Sequence, residues 1–95
     1  MYKYELTLVL VPDLNEEDAK AEFTRVTDRL TSFGGVVEKV DEWGKRRLAY
    51  EINKINDGIY YIVYFDGEPH TPNDLEQWLR INEKVVRYLI VRVDA

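Results

Sequence analysis

Ninety-five residues, 45% hydrophobic and 33% charged, make a single soluble domain spanning 1–95, near the lower size at which a core holds unaided. Thirteen Lys and Arg against eighteen Asp and Glu give a formal charge of −5, which excludes coating nucleic acid by charge alone, since that needs an excess of phosphate-neutralising cations. No cysteine and one histidine, His70, exclude disulfides, thiolate metal sites, a cysteine nucleophile and multi-histidine metal centres, so no cofactor or metal is expected.

From Tyr2 to Leu10 the pattern alternates, with Tyr4, Leu6, Leu8 and Leu10 on one parity and Lys3, Glu5, Thr7 and Val9 on the other. That spacing predicts a strand with one buried face. Its apolar run, residues 6–11, is too short to span a bilayer and lacks a signal-peptide cleavage site. The chain is therefore read as mature and cytoplasmic, with no membrane partner. Pro12 and Asp13 end the strand. Asn15 precedes Glu16, Glu17 and Asp18, a helix cap followed by acids suited to the positive end of a helix dipole. Ala19, Phe23, Val26, Leu30 and Phe33 then draw one apolar stripe, and Gly34-Gly35 stops the helix.

Residues 36–52 read as a long extended segment bent or bulged near Gly44. Asn56-Asp57-Gly58 signals a tight turn, and residues 59–65, rich in aromatic and β-branched side chains, complete a hairpin. Thr71 is placed to cap a second helix with Pro72 at its first position. Leu75, Trp78 and Leu79 supply its apolar face, and Asn82 closes it. Residues 85–93 are the last strand. The order strand–helix–strand–strand–helix–strand is α+β, the split βαβ plan (βαββαβ): a four-stranded antiparallel sheet with two helices on one face.

That plan leaves one sheet face without helices, and parity predicts its occupants. Polar Lys3, Glu5 and Thr7 put Val9 on it, Arg87 brings Leu89 and Val91, and Asp66 marks the parity of Tyr60, Ile62 and Tyr64. Such a face is more apolar than a solvated sheet requires, and large exposed apolar patches mark partners.

The concentrated basic segment is Trp43-Gly44-Lys45-Arg46-Arg47-Leu48-Ala49-Tyr50. Arginine forks match phosphate oxygens, and flanking aromatics stack on bases or anchor a protein. A charged edge strand guarded against stray pairing has the same composition, and the charge pattern alone does not favour phosphate binding over edge guarding. Arg80, Lys84, Arg87 and Arg92 lie at the second helix's end and along the last strand; a lone Arg80 there suits the helix dipole. The acids of the first helix sit where acids belong in a first turn, so no metal site is read from them. His70, in a loop without an identifiable Ser, Cys or Asp partner, reads as solvated.

From end to end the chain resembles the bacterial small-ribosomal-subunit protein six family. The likeness rests on the Trp43–Tyr50 octapeptide, on Tyr4-Glu5, Pro12-Asp13-Leu14, Gly34-Gly35 and Gly58-Ile59-Tyr60-Tyr61, and on Leu79-Arg80-Ile81-Asn82-Glu83 with Val86-Arg87-Tyr88. The resemblance implies a ferredoxin-like fold and a non-enzymatic protein. It would bind the central domain of small-subunit rRNA together with the basic small-subunit protein eighteen, as a heterodimer. Lys45, Arg46 and Arg47 are then expected on phosphate, with Lys3, Arg80 and Arg87 as further RNA-binding residues. Tyr50, Tyr60, Ile62, Tyr64, Leu89 and Val91 are expected on the partner face. Two departures stand out. Family members commonly carry a basic residue directly after the initiator methionine, where this chain has Tyr2 and then Lys3, and many extend beyond the last strand, where this chain stops at Ala95.

Two other readings share the plan. An acylphosphatase-like enzyme needs backbone N–H groups and a cation in the loop after the first strand. Val11-Pro12-Asp13-Leu14-Asn15 offers an acid, a proline without a donor and no glycine, which argues against it. A small-molecule regulatory or dimerisation module is compatible with the fold alone, and would show ligand-dependent thermal stabilisation.

Overall fold

The computed structural model describes residues 1–52 and 55–93, with the backbone alone for 46–52 and 55–57. Its elements are β1 (Tyr2–Leu10), α1 (Glu16–Ser32), β2 (Val36–Ile52), β3 (Ile55–Gly67), α2 (Thr71–Arg80) and β4 (Val85–Arg92). The strands form one antiparallel sheet in the order β2-β3-β1-β4, as the element order predicts.

The alternation in β1 sorts its side chains as expected. Tyr4, Leu6, Leu8 and Leu10 join Tyr61, Val63 and Phe65 of β3 and the helix residues Ala19, Val26, Leu30, Leu75 and Leu79 in one buried cluster. Phe23 stacks on Tyr61 with ring centroids 4.2 Å apart, and Tyr88 and Ile90 of β4 pack against the cluster's edge. The start of α1 also follows its sequence signal: the Asn15 side chain accepts the Asp18 N–H at 2.7 Å, and three acids fill the first turn. The chain leaves α1 through Gly34, whose φ of +90° is left-handed.

The bend near Gly44 is present as well. The β2–β3 register shifts between Glu42 and Gly44, and Gly44 has φ +73°, a backbone state glycine adopts without a Cβ penalty in a bulge.

Three local expectations need correction. Asn56-Asp57-Gly58 is not the hairpin turn, because β3 begins at Ile55 and continues through all three residues. Gly58 is instead a close-contact position. A Cβ there would strike the Val9 side chain and lie 3.2 Å from the Leu10 carbonyl oxygen. Thr71 does not cap α2; His70 occupies the cap position and makes no side-chain cap bond. Thr71 is fully buried inside the helix, where its hydroxyl donates to the Phe33 carbonyl oxygen at 2.9 Å and ties the start of α2 to the end of α1. His70 does have an acid beside it, with Nδ1 3.0 Å from Asp74 Oδ2, because a residue at a cap and one four positions on share a helix face.

Thr71→Val keeps the shape and removes that donor. It is expected to lower unfolding stability by about 1–2 kcal/mol, the cost of a buried carbonyl without its partner, measured by urea denaturation.

Candidate functional site

The strand registers lay out the helix-free face in rows. Gly44, Tyr60, Val9 and Arg87 share one row from β2 to β4; Asp41, Ile62, Thr7 and Leu89 form the next; Lys39, Tyr64, Glu5 and Val91 the third. The parity expected for this face therefore holds on β1, β3 and β4.

Its exposure does not hold throughout. Val9, Tyr60 and Ile62 are only 3%, 9% and 5% accessible. They stand on the two inner strands, where side chains from both flanks cover them, and Trp43 stacks toward Tyr60 at 6.5 Å between centroids. Open apolar surface remains at the margins, where Leu89 is 59% and Val91 40% accessible on β4, and Val36 and Trp43 are about half exposed on β2. The centre of the face is a covered floor, and its exposed apolar side chains stand at the edges.

The basic residues are not brought to one point. Lys3 lies at the far end of the sheet, its ammonium 3.0 Å from Glu38 and 3.4 Å from Asp66. Hydrogen bonds to Glu38 and then Asp66 raise its pKa above the ordinary lysine value. Arg80 reaches Glu76 at 3.3 Å, and hydrogen bonding to Tyr88 and then to Glu76 raises its guanidinium pKa above the ordinary arginine value. Arg80 therefore belongs to the helix side of the molecule. Arg87 is exposed on the open face opposite Val9. Lys45 is exposed at the opposite edge, opposite Ile59. The side chains of Arg46, Arg47 and Tyr50 lie outside the described residues.

Lys45 also lines a cavity of about 510 Å³ between the start of α1 and the β2 bulge, with Leu14, Ala19, Trp43 and Tyr61. Burial, followed by the charges of Glu42 and Glu16, pushes the Tyr61 phenol pKa up, and Lys20 and Lys45 line the same recess as those two acids.

The loop after α2, within the Leu79-Arg80-Ile81-Asn82-Glu83 motif, forms a hydrogen-bonded unit. Asn82 organises it: its N–H donates to the Leu79 carbonyl oxygen and its own carbonyl accepts from Val85. Its side-chain oxygen accepts the Lys84 N–H at 2.9 Å, and its amide donates at 2.7 Å to Glu22. Glu22 is a carboxylate only 5% accessible that also accepts from Arg25. Thus a buried acid of α1 holds the loop, which presents Ile81, 79% accessible, and exposed Lys84. The signal available in sequence is the Asn82 side chain two residues before Lys84, a turn-forming spacing.

The loop after β1 is occupied by its own structure: the Val11 N–H donates to the Lys84 carbonyl oxygen, and the Asn15 side chain caps α1. Neither is free to cradle a phosphoryl group. Among the described residues no group of three or more His, Cys, Asp or Glu side chains could hold a metal ion, and no helix is long and apolar enough to cross a membrane.

The family model described as ribosomal protein S6 matches residues 3–92. The chain belongs to the ribosomal protein S6 family. A small ribosomal subunit protein bS6 of Clostridium kluyveri is 45% identical over 92 residues, 97% of each chain, and that of Symbiobacterium thermophilum is 46% identical over the same shares. The crystal structure of 30S ribosomal protein S6 from Thermotoga maritima superposes with a TM-score of 0.89 at 29% identity, covering 96% of this chain and 86% of that one. Members of the S6 family are structural proteins of the small ribosomal subunit, not enzymes. Membership sets aside both the acylphosphatase-like and the small-molecule regulatory readings.

Proposed function

We propose that the chain binds the central domain of small-subunit rRNA jointly with the basic small-subunit protein eighteen, as a heterodimer on the cytoplasmic ribosome. The observation that carries this reading is the β4 margin of the open face. Leu89 and Val91 stay exposed there while Val9, Tyr60 and Ile62 of the inner strands are covered, and a soluble domain with apolar side chains on a sheet margin meets a partner. Tyr60, Ile62 and Tyr64 form the floor behind that contact, with Tyr50 as a further partner residue. Lys45, Arg46 and Arg47 contact phosphate, with Lys3, Arg80 and Arg87 as additional candidates. A chain of net charge −5 favours a basic partner by charge complementarity, and the joint surface then supplies the cations that RNA demands.

Reconstitution with a central-domain rRNA fragment over a salt series tests the reading. RNA binding is expected only when protein eighteen is present. The Lys45→Ala/Arg46→Ala/Arg47→Ala variant should bind about tenfold more weakly or worse, because up to three phosphates are no longer neutralised. Tight RNA binding by this chain alone would contradict the partnered mechanism. Unchanged assembly of the triple variant would return those residues to guarding the β2 edge.

A further inference from the structure

Glu22 is a carboxylate on α1 only 5% accessible, and a charge taken out of water persists where partners answer it. Both of its oxygens are engaged. Oε1 accepts from Arg25 Nη1 at 3.1 Å, and Oε2 accepts from the Asn82 amide at 2.7 Å, 60 residues away in sequence. The Arg25 guanidinium in turn lies over the Trp78 ring of α2, 5.7 Å from its centroid. The carboxylate is therefore fixed in the helix layer, with one oxygen turned to the loop after α2.

That loop, residues 81–84, joins Arg80 at the end of α2 to the strand that carries Arg87, two residues placed on rRNA by the reading above. Asn82 closes the turn locally, through the Leu79 carbonyl oxygen, the Val85 N–H and the Lys84 N–H. The Lys84 carbonyl oxygen accepts from Val11, just past β1, which ties the far end of the turn to the sheet. These bonds shape the turn without fixing how it sits against the helices. The Glu22–Asn82 bond does that, and an amide donating to a carboxylate is about twice as strong as a neutral pair. A turn held in this way presents Ile81, 79% accessible, and exposed Lys84 in one orientation before a partner arrives. Less ordering then opposes binding.

We infer that Glu22 is the positioning residue of this loop: through the Asn82 amide it fixes the orientation in which residues 81–84 meet the ribosomal partners. The inference rests on the rRNA and protein-eighteen reading above. It gives a task in assembly to an α1 acid whose burial keeps it out of reach of either partner.

The test uses the full chain with protein eighteen and a central-domain rRNA fragment at one salt concentration, with each variant shown folded by circular dichroism. Asn82→Asp sets a carboxylate against Glu22 while keeping an acceptor for the Lys84 N–H, and Glu22→Leu removes the acceptor from the other side. Each is expected to weaken assembly about fivefold, the scale of ordering one more loop side chain on binding. One change adds a negative charge and the other removes one, so a loss in both reads orientation rather than charge. Glu22→Gln/Asn82→Asp exchanges donor and acceptor across the same gap and should return to within about twofold of wild type. Hydrogen exchange of the Lys84 amide gives a readout that needs no ligand: about tenfold faster in Asn82→Asp, and restored in the double variant. Wild-type affinity in the folded Asn82→Asp and Glu22→Leu proteins would overturn the inference, even with lowered stability, because Glu22 would then be structural alone. A double variant as weak as Asn82→Asp would overturn it too. If neither single variant folds, the wild-type amide decides: exchange of the Lys84 N–H at the rate of an unstructured chain would show that nothing holds the loop. Failure of the wild-type pair to bind the RNA would instead overturn the functional reading, with the Lys84 exchange still reporting whether the loop is held.

Discussion

Gly58→Val is expected to destabilise the fold by about 3 kcal/mol, with Gly58→Ala costing about 2, in the range for forcing extra carbon into a packed site. The physical cause is the approach of β3 to β1. A Cβ at Gly58 meets the Val9 side chain and the Leu10 carbonyl oxygen, and Val9, 3% accessible on an inner strand, has no room to swing aside. For a domain of this size, about 3 kcal/mol lowers the melting temperature by about 15 °C. Thermal and urea unfolding measure it. The double variant Val9→Ala/Gly58→Ala should recover part of the Gly58→Ala loss, because residues in contact are coupled rather than additive. A Gly58→Val protein within about 0.5 kcal/mol of wild type, the range of uncritical surface changes, would show that the contact yields and that Gly58 is not a packing position.

Leu8→Ala and Leu89→Ala make the same chemical change on opposite faces of the sheet and should separate cleanly. Leu8 has no accessible surface and sits in the core cluster, with Tyr61 and Tyr88 as its register partners. Its truncation is expected to cost about 3 kcal/mol, combining lost transfer energy with the cavity left behind. Leu89, 59% accessible, already faces solvent, so its truncation should leave stability within about 0.5 kcal/mol of wild type. If the β4 margin is the partner face, the ranking reverses in binding: Leu89→Ala should weaken the complex with protein eighteen by about 1–2 kcal/mol, as a buried interface leucine would. Denaturant melts paired with calorimetric titration of the partner check both halves. A Leu89→Ala protein that binds normally would remove the β4 margin from the proposed interface.

Much of the fold is legible in the sequence because its signals are local. β1 reveals itself by alternation over nine residues, and α1 by a 3.6-residue stripe bounded by Asn15 and Gly34-Gly35. The hairpin turn is misplaced by sequence reading because Asn-Asp-Gly is a turn signal only when considered in isolation. What selects glycine at position 58 is Val9, a residue on another strand, and no local window contains that contact. The same applies to Thr71, whose hydroxyl answers the Phe33 carbonyl oxygen rather than its own helix. Parity correctly assigns Tyr60, Ile62 and Val9 to the helix-free face. It does not give their exposure, which depends on whether a strand is inner or outer. The Lys84 loop is not legible either, because its anchor, Glu22, lies on α1.

The sequence by itself determined the order of the six elements, the face to which the residues of β1, β3 and β4 belong, the family to which the chain is kin, and the location of the basic Trp43–Tyr50 segment within an acidic chain. Those properties follow from side-chain spacing along the chain, since a period of two or 3.6 residues is written locally. Only the tertiary structure decided that β2 and β4 are the edges and β1 and β3 the interior, which leaves Leu89 and Val91 exposed while Tyr60 and Ile62 are covered. The same pairing sets Lys45 and Arg87 in adjacent rows at opposite edges of the sheet, with Lys3 tied to carboxylates at its other end. Strand register joins residues distant in sequence, and it is set by how the whole core packs rather than by any one segment.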